Sequence, residues 1–364
     1  MVEFSSEEAY ILGCLLGRGS IDIDKGGYKL VLRFPHVSYD PIGESVVRAL
    51  EVGKGGLTYK ELLGLPEVKT RGVMKLGLVL ARLAQWHPPR VETRRSIISK
   101  RAGKWRIGDT GLTSEYLKWQ KLYLQRENSW KDFVISQIKS AASFMASNID
   151  SRVRIDQFGH TTMVIECGVP DLTVKYLKEN YGLDTGDIYK HWGIPQVIMK
   201  EYSKELTEEF TRGLADTIAT IDRYISRLYR AQFSVINENR TLPVDICALL
   251  QEKLQIPVYY IGWAGTEYKR KGKYGKRGGR DHLVKVWLTN FKDRFEMPLF
   301  HNHQKQVEFL ERLNESEETA KKTGISRSLI GFCPSERRKI AAYMNICLRQ
   351  GCLRMKTRPL NSWT

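Results

Sequence analysis

Two carboxylates stand at matched places in this chain. Ser20-Ile21-Asp22 and Thr220-Ile221-Asp222 each follow a helical stretch and open a β-type run. Strand side chains alternate between faces, so with the isoleucines turned to the core, Asp22 and Asp222 look the other way. Such a pair supports two kinds of chemistry. It can hold a divalent ion such as Mg2+ against a phosphodiester, where the metal polarises the phosphoryl oxygen and activates water. It can instead accept hydrogen bonds from base amino groups, or pair with nearby lysines and arginines. Asp216 is a third candidate acid, a few residues earlier. Other motifs carry less. Pro170-Asp171 with Asp187-Ile188-Tyr189-Lys190 mimics a PD…(D/E)xK nuclease pattern but reads as the start of a helix. His301-Asn302-His303 has no cysteine nearby to complete a metal site. There is no P-loop, dinucleotide fingerprint or nucleophile elbow.

Positive charge is more abundant. Lys and Arg number 58 against 41 Asp and Glu, a net charge of +17. That excess favours a polyanionic partner, because each neutralised phosphate releases condensed counterions. The densest run holds Lys269, Arg270, Lys271, Lys273, Lys276, Arg277 and Arg280, with glycines between them. It is expected to join two strands and to reach phosphates. Arg18, Lys29, Arg33, Arg152, Arg154, Arg230, Gln232 and Lys285 are further candidate contacts on helix ends and strands. Only half of the strand residues would face a ligand, and the register is open by one residue.

The elements that must position these residues recur in the two halves. Residues 7–23 and 204–224 both read as a helix ending in small residues and leading into a strand. The small residues are Gly13 and Gly17 in one, Gly213 and Ala215 in the other. A glycine inside a helix costs about 1 kcal/mol relative to alanine, so a close approach of two helix backbones is expected there. Behind the first helix come a hairpin turning at Lys25-Gly26-Gly27, a helix at 41–50, a later hairpin at 152–156 and 161–166, and a helix at 170–180. Behind the second come strands at 220–225 and 231–236, a helix at 242–254, strands at 258–263 and 282–289, and a helix at 301–313. The order helix, two strands, helix, two strands, helix occurs twice.

These segments resemble the two motif helices of the LAGLIDADG homing endonuclease family. Leu12-Gly13, Leu15-Leu16-Gly17 and Gly19-Ser20-Ile21 carry the first motif. Gly193-Ile194-Pro195, Ser203-Lys204-Glu205-Leu206 and Phe210-Thr211-Arg212-Gly213-Leu214-Ala215-Asp216 carry the second. The resemblance covers about 5–52 and 150–313. It implies an α+β fold of tandem pseudo-symmetric αββαββα modules forming a DNA-binding saddle, a monomer with internal two-fold pseudosymmetry. It also implies one metal-binding acid at each motif end. Here those places hold Arg18 and Ile218, neither of which ligates a metal. A guanidinium can hold a phosphate bidentately, so Arg18 would replace the charge without the chemistry. The expectation is therefore sequence-specific double-stranded DNA binding without the usual cleavage acids. The alternatives are a Mg2+-dependent endonuclease using displaced acids, or an RNA-binding intron maturase.

The expected domains are 1–52 with 151–192 as module one, 53–150 as an insertion, 193–315 as module two and 316–364 as a helical tail. The insertion runs helix, helix, basic hairpin, an outline that resembles a winged helix. No apolar run approaches the length of a membrane span. The start lacks a basic region and a cleavage site, and the six cysteines form no CxxC pair, so an intracellular, cytoplasmic chain with reduced thiols is expected, a nucleoid or organellar matrix remaining open.

Overall fold

The computed structural model of the protein describes residues 5–24, 27–35, 41–69, 73–84, 96–155, 161–201, 203–223, 228–236, 238–258, 260–262, 271–272, 275–276 and 281–323. It mixes helices and strands, an α+β chain. Helix α1 (Ser6–Arg18) starts where the Ser5 hydroxyl accepts the Glu8 backbone N–H at 3.2 Å, satisfying one of the donors a helix start leaves over. Strands β1 (Gly19–Asp24) and β2 (Gly27–Pro35) follow as an antiparallel hairpin with Asp22 opposite Lys29. Next come α2 (Pro41–Val52), β3 (Leu57–Thr58), α3 (Tyr59–Leu63), α4 (Pro66–Lys69), α5 (Val73–Ala84), β4 (Ile98–Arg101) and β5 (Lys104–Ile107). Helix α6 (Thr110–Ser140) runs for 31 residues and ends near a 3-10 turn at Ala142–Phe144. Then come β6 (Ser147–Ile155), β7 (Thr161–Val169), α7 (Asp171–Tyr181), α8 (Ile188–His191) and α9 (Gln196–Lys200).

The second half opens with α10 (Lys204–Ile218), capped by the Ser203 hydroxyl on the Leu206 N–H. It continues through β8 (Ala219–Arg223), β9 (Tyr229–Val235), α11 (Leu242–Ala248), a π turn (Leu249–Lys253), β10 (Tyr260–Gly262), the short β11 (Lys271–Gly272) and β12 (Gly275–Lys276), β13 (His282–Trp287), α12 (Leu288–Arg294) and α13 (His303–Thr323). Helix α13 passes without a break through Glu315 and Ser316, where the sequence suggested a boundary. The rest of the expected tail, and its three cysteines, lie outside the described residues.

Two four-stranded sheets have the orders β1-β2-β7-β6 and β10-β13-β9-β8. In both, the first and third strands of the local sequence form the edges, and the second and fourth lie side by side in the centre. Chain contacts divide the molecule into two units. The larger comprises 1–34, 132–151 and 165–364. Its centre is the pair α1 and α10, both buried along nearly their whole length. The pair is close because it is built from small residues. A Cβ on Gly13 would strike the Phe210 carbonyl and stand 3.1 Å from the Gly213 Cα, and a Cβ on Gly213 would strike the Tyr10 carbonyl. One turn on, a Cβ on Gly17 would meet the Thr217 side chain.

The smaller unit comprises 35–131 and 152–164. Leu62, Leu76, Leu80 and Ile98 are among its fully enclosed side chains. Helix α3 is held by a reciprocal cap: Thr58 Oγ1 accepts the Glu61 N–H, and the Glu61 carboxylate accepts the Thr58 N–H at 2.6 Å. Strands β3, β5 and β4 form a three-stranded sheet in that order. The β4–β5 turn puts Ala102 at φ 47° and Gly103 at φ 74°, the left-handed pair that a two-residue hairpin needs.

Candidate functional site

The structure gathers most of the candidate side chains of the larger unit around the α1–α10 pair and the sheets that follow it. Asp216 is fully buried in α10. Its carboxylate accepts the Tyr10 hydroxyl at 2.8 Å and the Asn302 N–H at 3.1 Å. Burial pushes this carboxyl up, while Lys305 and His301 pull the other way. Burial also raises the Tyr10 hydroxyl, helped by the Asp216 charge. Lys305, from α13, donates its ammonium to the carbonyls of Asp216 at 2.7 Å and Ala219 at 3.1 Å. It thereby satisfies carbonyls that the end of α10 leaves over, where a cation is favoured. Desolvation still lowers its pKa to about 8, against the pull of Asp216.

At the other end of α10 a second network closes. Arg212 donates to Glu209 at 2.8 Å and to the carbonyls of Pro298 and Glu296 at 2.7 and 2.6 Å. Glu208 accepts the Glu296 N–H, and Glu209 pairs with His301 at 2.9 Å. His301 therefore serves this network.

Asp222 lies on β8 opposite Arg230 of β9. Its carboxylate takes Arg230 at 2.6 Å and Lys285 of β13 at 2.7 Å. Gln232, between Thr220 and Lys285 in register, donates to Ser234 at 3.3 Å. Asp22 is exposed on β1. Its cross-strand neighbour Lys29 pairs with Asp24 at 3.3 Å and Glu166 at 3.8 Å. Arg18 closes α1 and faces Asp281 at 3.9 Å, while Ile218, at the matching place in α10, is buried. Arg33 is half-buried on β2. Arg152 and Arg154 are exposed on β6, in the smaller unit. Lys271 and Lys276 face one another as partners of the β11–β12 ribbon. Lys269, Arg270, Lys273, Arg277 and Arg280 lie outside the described residues. Among the described residues, no group of three or more His, Cys, Asp or Glu side chains is placed to hold a metal ion.

Sequence reading missed Tyr10, Asn302 and Lys305. A tyrosine on an apolar helix face reads as core, and a lysine on a polar helix reads as surface. Their partners are remote in sequence, Tyr10 lying 206 residues from Asp216. The smaller unit carries its own cleft of about 380 Å3, lined by Leu50, Glu51, Lys54, Arg106, Thr110 and Thr113 among others.

The family model that matches this chain is that of the TORC1 subunit TCO89, over residues 110–163. Among the described residues the matched stretch comprises α6, the 3-10 turn, β6 and the first residues of β7. It is a minor part of the 364 residues. No curated protein matches.

The match corrects the expectations that rested on the LAGLIDADG resemblance, for no LAGLIDADG or homing endonuclease family is detected. Double-stranded DNA binding falls with it, as do a Mg2+-dependent endonuclease and an RNA-binding maturase. The expected monomer on double-stranded DNA is overturned by the same match, to a family whose model is named for a TORC1 subunit. The physical reason is that the motif residues report packing. Gly13, Gly17 and Gly213 are small because two helix backbones touch, and that need is independent of any ligand. Asp216, the acid inside the second motif, is taken by Tyr10 and Asn302. Among the described residues no helix is long and apolar enough to cross a membrane. Cys14, Cys167 and Cys247 are free and buried, and burial pushes Cys167 up to about 12.

Proposed function

We propose that this chain is a binding subunit of a multiprotein assembly, docked through the region 110–163. The observation that carries the reading is the TCO89 match on that region, a family named as a subunit of TORC1. The region suits the task. Its core is a long single helix, which presents side chains at fixed spacing and loses little freedom on binding. In this reading the buried polar networks around α1 and α10 serve the scaffold, and a TORC1-type complex is the first assembly to test.

We also infer the finer organisation. The repeated strand order supports two sheet-bearing modules, 1–52 with 151–192 and 193–315, the first interrupted by an inserted domain at 53–150, with a tail at 316–364. The order α2, β3, α3, α4, α5, β4, β5, with the sheet ordered β3-β5-β4, supports a winged-helix arrangement in the insertion. In this reading the inserted domain contributes α6 as the docking helix.

The test is the native mass of the tagged chain purified under mild conditions from its own source. A particle well above 41.9 kDa with partners in fixed ratio is expected. Substituting exposed α6 positions, Lys118→Glu with Gln125→Glu, should release those partners. A chain that runs alone at its own mass would overturn the reading.

A further inference from the structure

Helix α6 carries a ladder of rings along one edge. The Tyr116 and Trp119 centroids lie 5.8 Å apart, and those of Trp119 and Tyr123 lie 4.3 Å apart. The Arg126 guanidinium stands over the Tyr123 ring at 5.9 Å. Steps of three and four residues keep all four on one side of a helix. Tyr116 is buried, whereas Trp119, Tyr123 and Arg126 are half-buried. Beside them Leu122 is 43% exposed, one of few large apolar side chains so open among the described residues. Trp, Tyr and Arg are the residue types that concentrate binding energy at interfaces, most of all where they are already partly packed and held rigid.

The exposed charge beside this face is mostly positive. Lys118 is exposed next to Leu122, and Glu127 is buried. Glu115 stands at one end of the face. Over residues 35–131 the sequence holds 18 Lys and Arg against 9 Asp and Glu. A partner with acidic residues around an apolar stripe meets a complementary field here, and a basic one is repelled.

We propose that the face formed by Trp119, Leu122, Tyr123 and Arg126 docks an acidic amphipathic helix of a partner protein. The partner's apolar side chains pack on Leu122 and the exposed parts of the rings. Its carboxylates meet Arg126 and Lys118, and Glu115 fixes the direction by repelling the acidic end. This inference rests on the reading of the chain as an assembly subunit and names the chemistry of the partner.

The experiment uses the full chain and three labelled synthetic peptides, followed by fluorescence anisotropy. One is a helical peptide with leucine at every third and fourth position and glutamate elsewhere. The second has lysine in place of each glutamate, and the third is polyglutamate of the same length. The acidic amphipathic peptide should bind at least tenfold tighter than either of the others. Leu122→Asp should weaken it at least tenfold, and Arg126→Glu should reverse the preference between the first two. Unchanged circular dichroism and melting temperature exclude misfolding, which the exposure of Leu122 favours.

Equal binding of all three peptides, or acidic binding untouched by both substitutions, overturns the proposal. So does tight binding of polyglutamate, which would mean charge attraction alone. Self-association lost in Leu122→Asp would give the face to a second copy and also overturns it. The two readings fail separately. A large native particle with no peptide binding removes this inference alone, and peptide binding by a chain that stays at 41.9 kDa in its source removes the assembly reading.

Discussion

Gly13 and Gly213 face each other across the α1–α10 seam, so closely that a Cβ on the first would lie 3.1 Å from the Cα of the second. The obstacles to a side chain there are backbone atoms, the carbonyls of Phe210 and Tyr10, which cannot swing aside. Gly13→Ala and Gly213→Ala should each destabilise the protein by about 3 kcal/mol or more, at the upper end of overpacking costs. Urea unfolding should show the midpoint falling. A midpoint within error of the parent would mean that the helices can part without cost.

Lys305 gives a pH signature. Its folded pKa of about 8 lies below the usual 10.5, so between these values the unfolded chain holds a proton that the folded chain has released. The Lys305 contribution to stability therefore rises as pH increases through that window. Relative to Lys305→Met, the parent should gain up to about 3 kcal/mol between pH 8 and 10.5. Paired denaturation curves at pH 7.5 and 10 read this directly, and parallel pH dependences would refute it.

Asp245 predicts the opposite slope at acid pH. Burial raises its carboxyl to about 6 from 3.8, offset in part by the Ile194 N–H that it accepts at 2.8 Å. The folded chain holds the proton longer, so this contribution is present below pH 3.8 and is lost as pH rises through 6. Asp245→Asn keeps an oxygen for Ile194 and removes the titration. Its melting temperature relative to the parent should climb between pH 4 and 7, and a constant difference would contradict the assignment.

Asp222 holds Arg230 and Lys285 together. Asp222→Asn leaves two cations beside each other on the sheet, and should cost about 1–3 kcal/mol, the range for losing hydrogen bonds to charged groups. Both cations are largely buried, so little of that loss should return at 1 M salt, which screens exposed charges far better than enclosed ones. Recovery of most of the loss in salt would contradict this.

Much of the architecture was legible because it depends on local pattern. The strands at 220–225 and 231–236 sit within two residues of β8 and β9, since alternation and the intervening turn are sequence-local signals. The glycines of 7–23 and 204–224 announced a close helix crossing, and α1 with α10 is that crossing. The expected helix at 301–313 is shorter than α13, which runs to Thr323, because no residue in 314–323 breaks the helix and polarity alone suggests an end. The site was legible in part. That Asp22 and Asp222 share an offset is visible in sequence, but that Asp222 is neutralised by Arg230 and Lys285 depends on register across three strands. The function was misread for a deeper reason. Glycines that serve helix packing resemble the mark of a DNA-cutting family, while the segment that matches a family model, 110–163, falls by sequence pattern across the end of the insertion and the start of 151–192.

The pairing of α1 with α10 also has a history in time. Tyr10 meets Asp216 across 206 residues of chain, so the first helix leaves the ribosome with its apolar sides uncovered. At bacterial or eukaryotic synthesis speeds, about 5–20 residues per second, its partner follows on the order of 10–40 seconds later. Strands β1 and β2 wait likewise for β6 and β7. The second sheet, whose four strands lie within 219–287, can close as soon as it emerges. Until α10 is made, residues 8–17 form a short apolar helix without its partner, and a chaperone that binds such helices during translation should find a preferred target there.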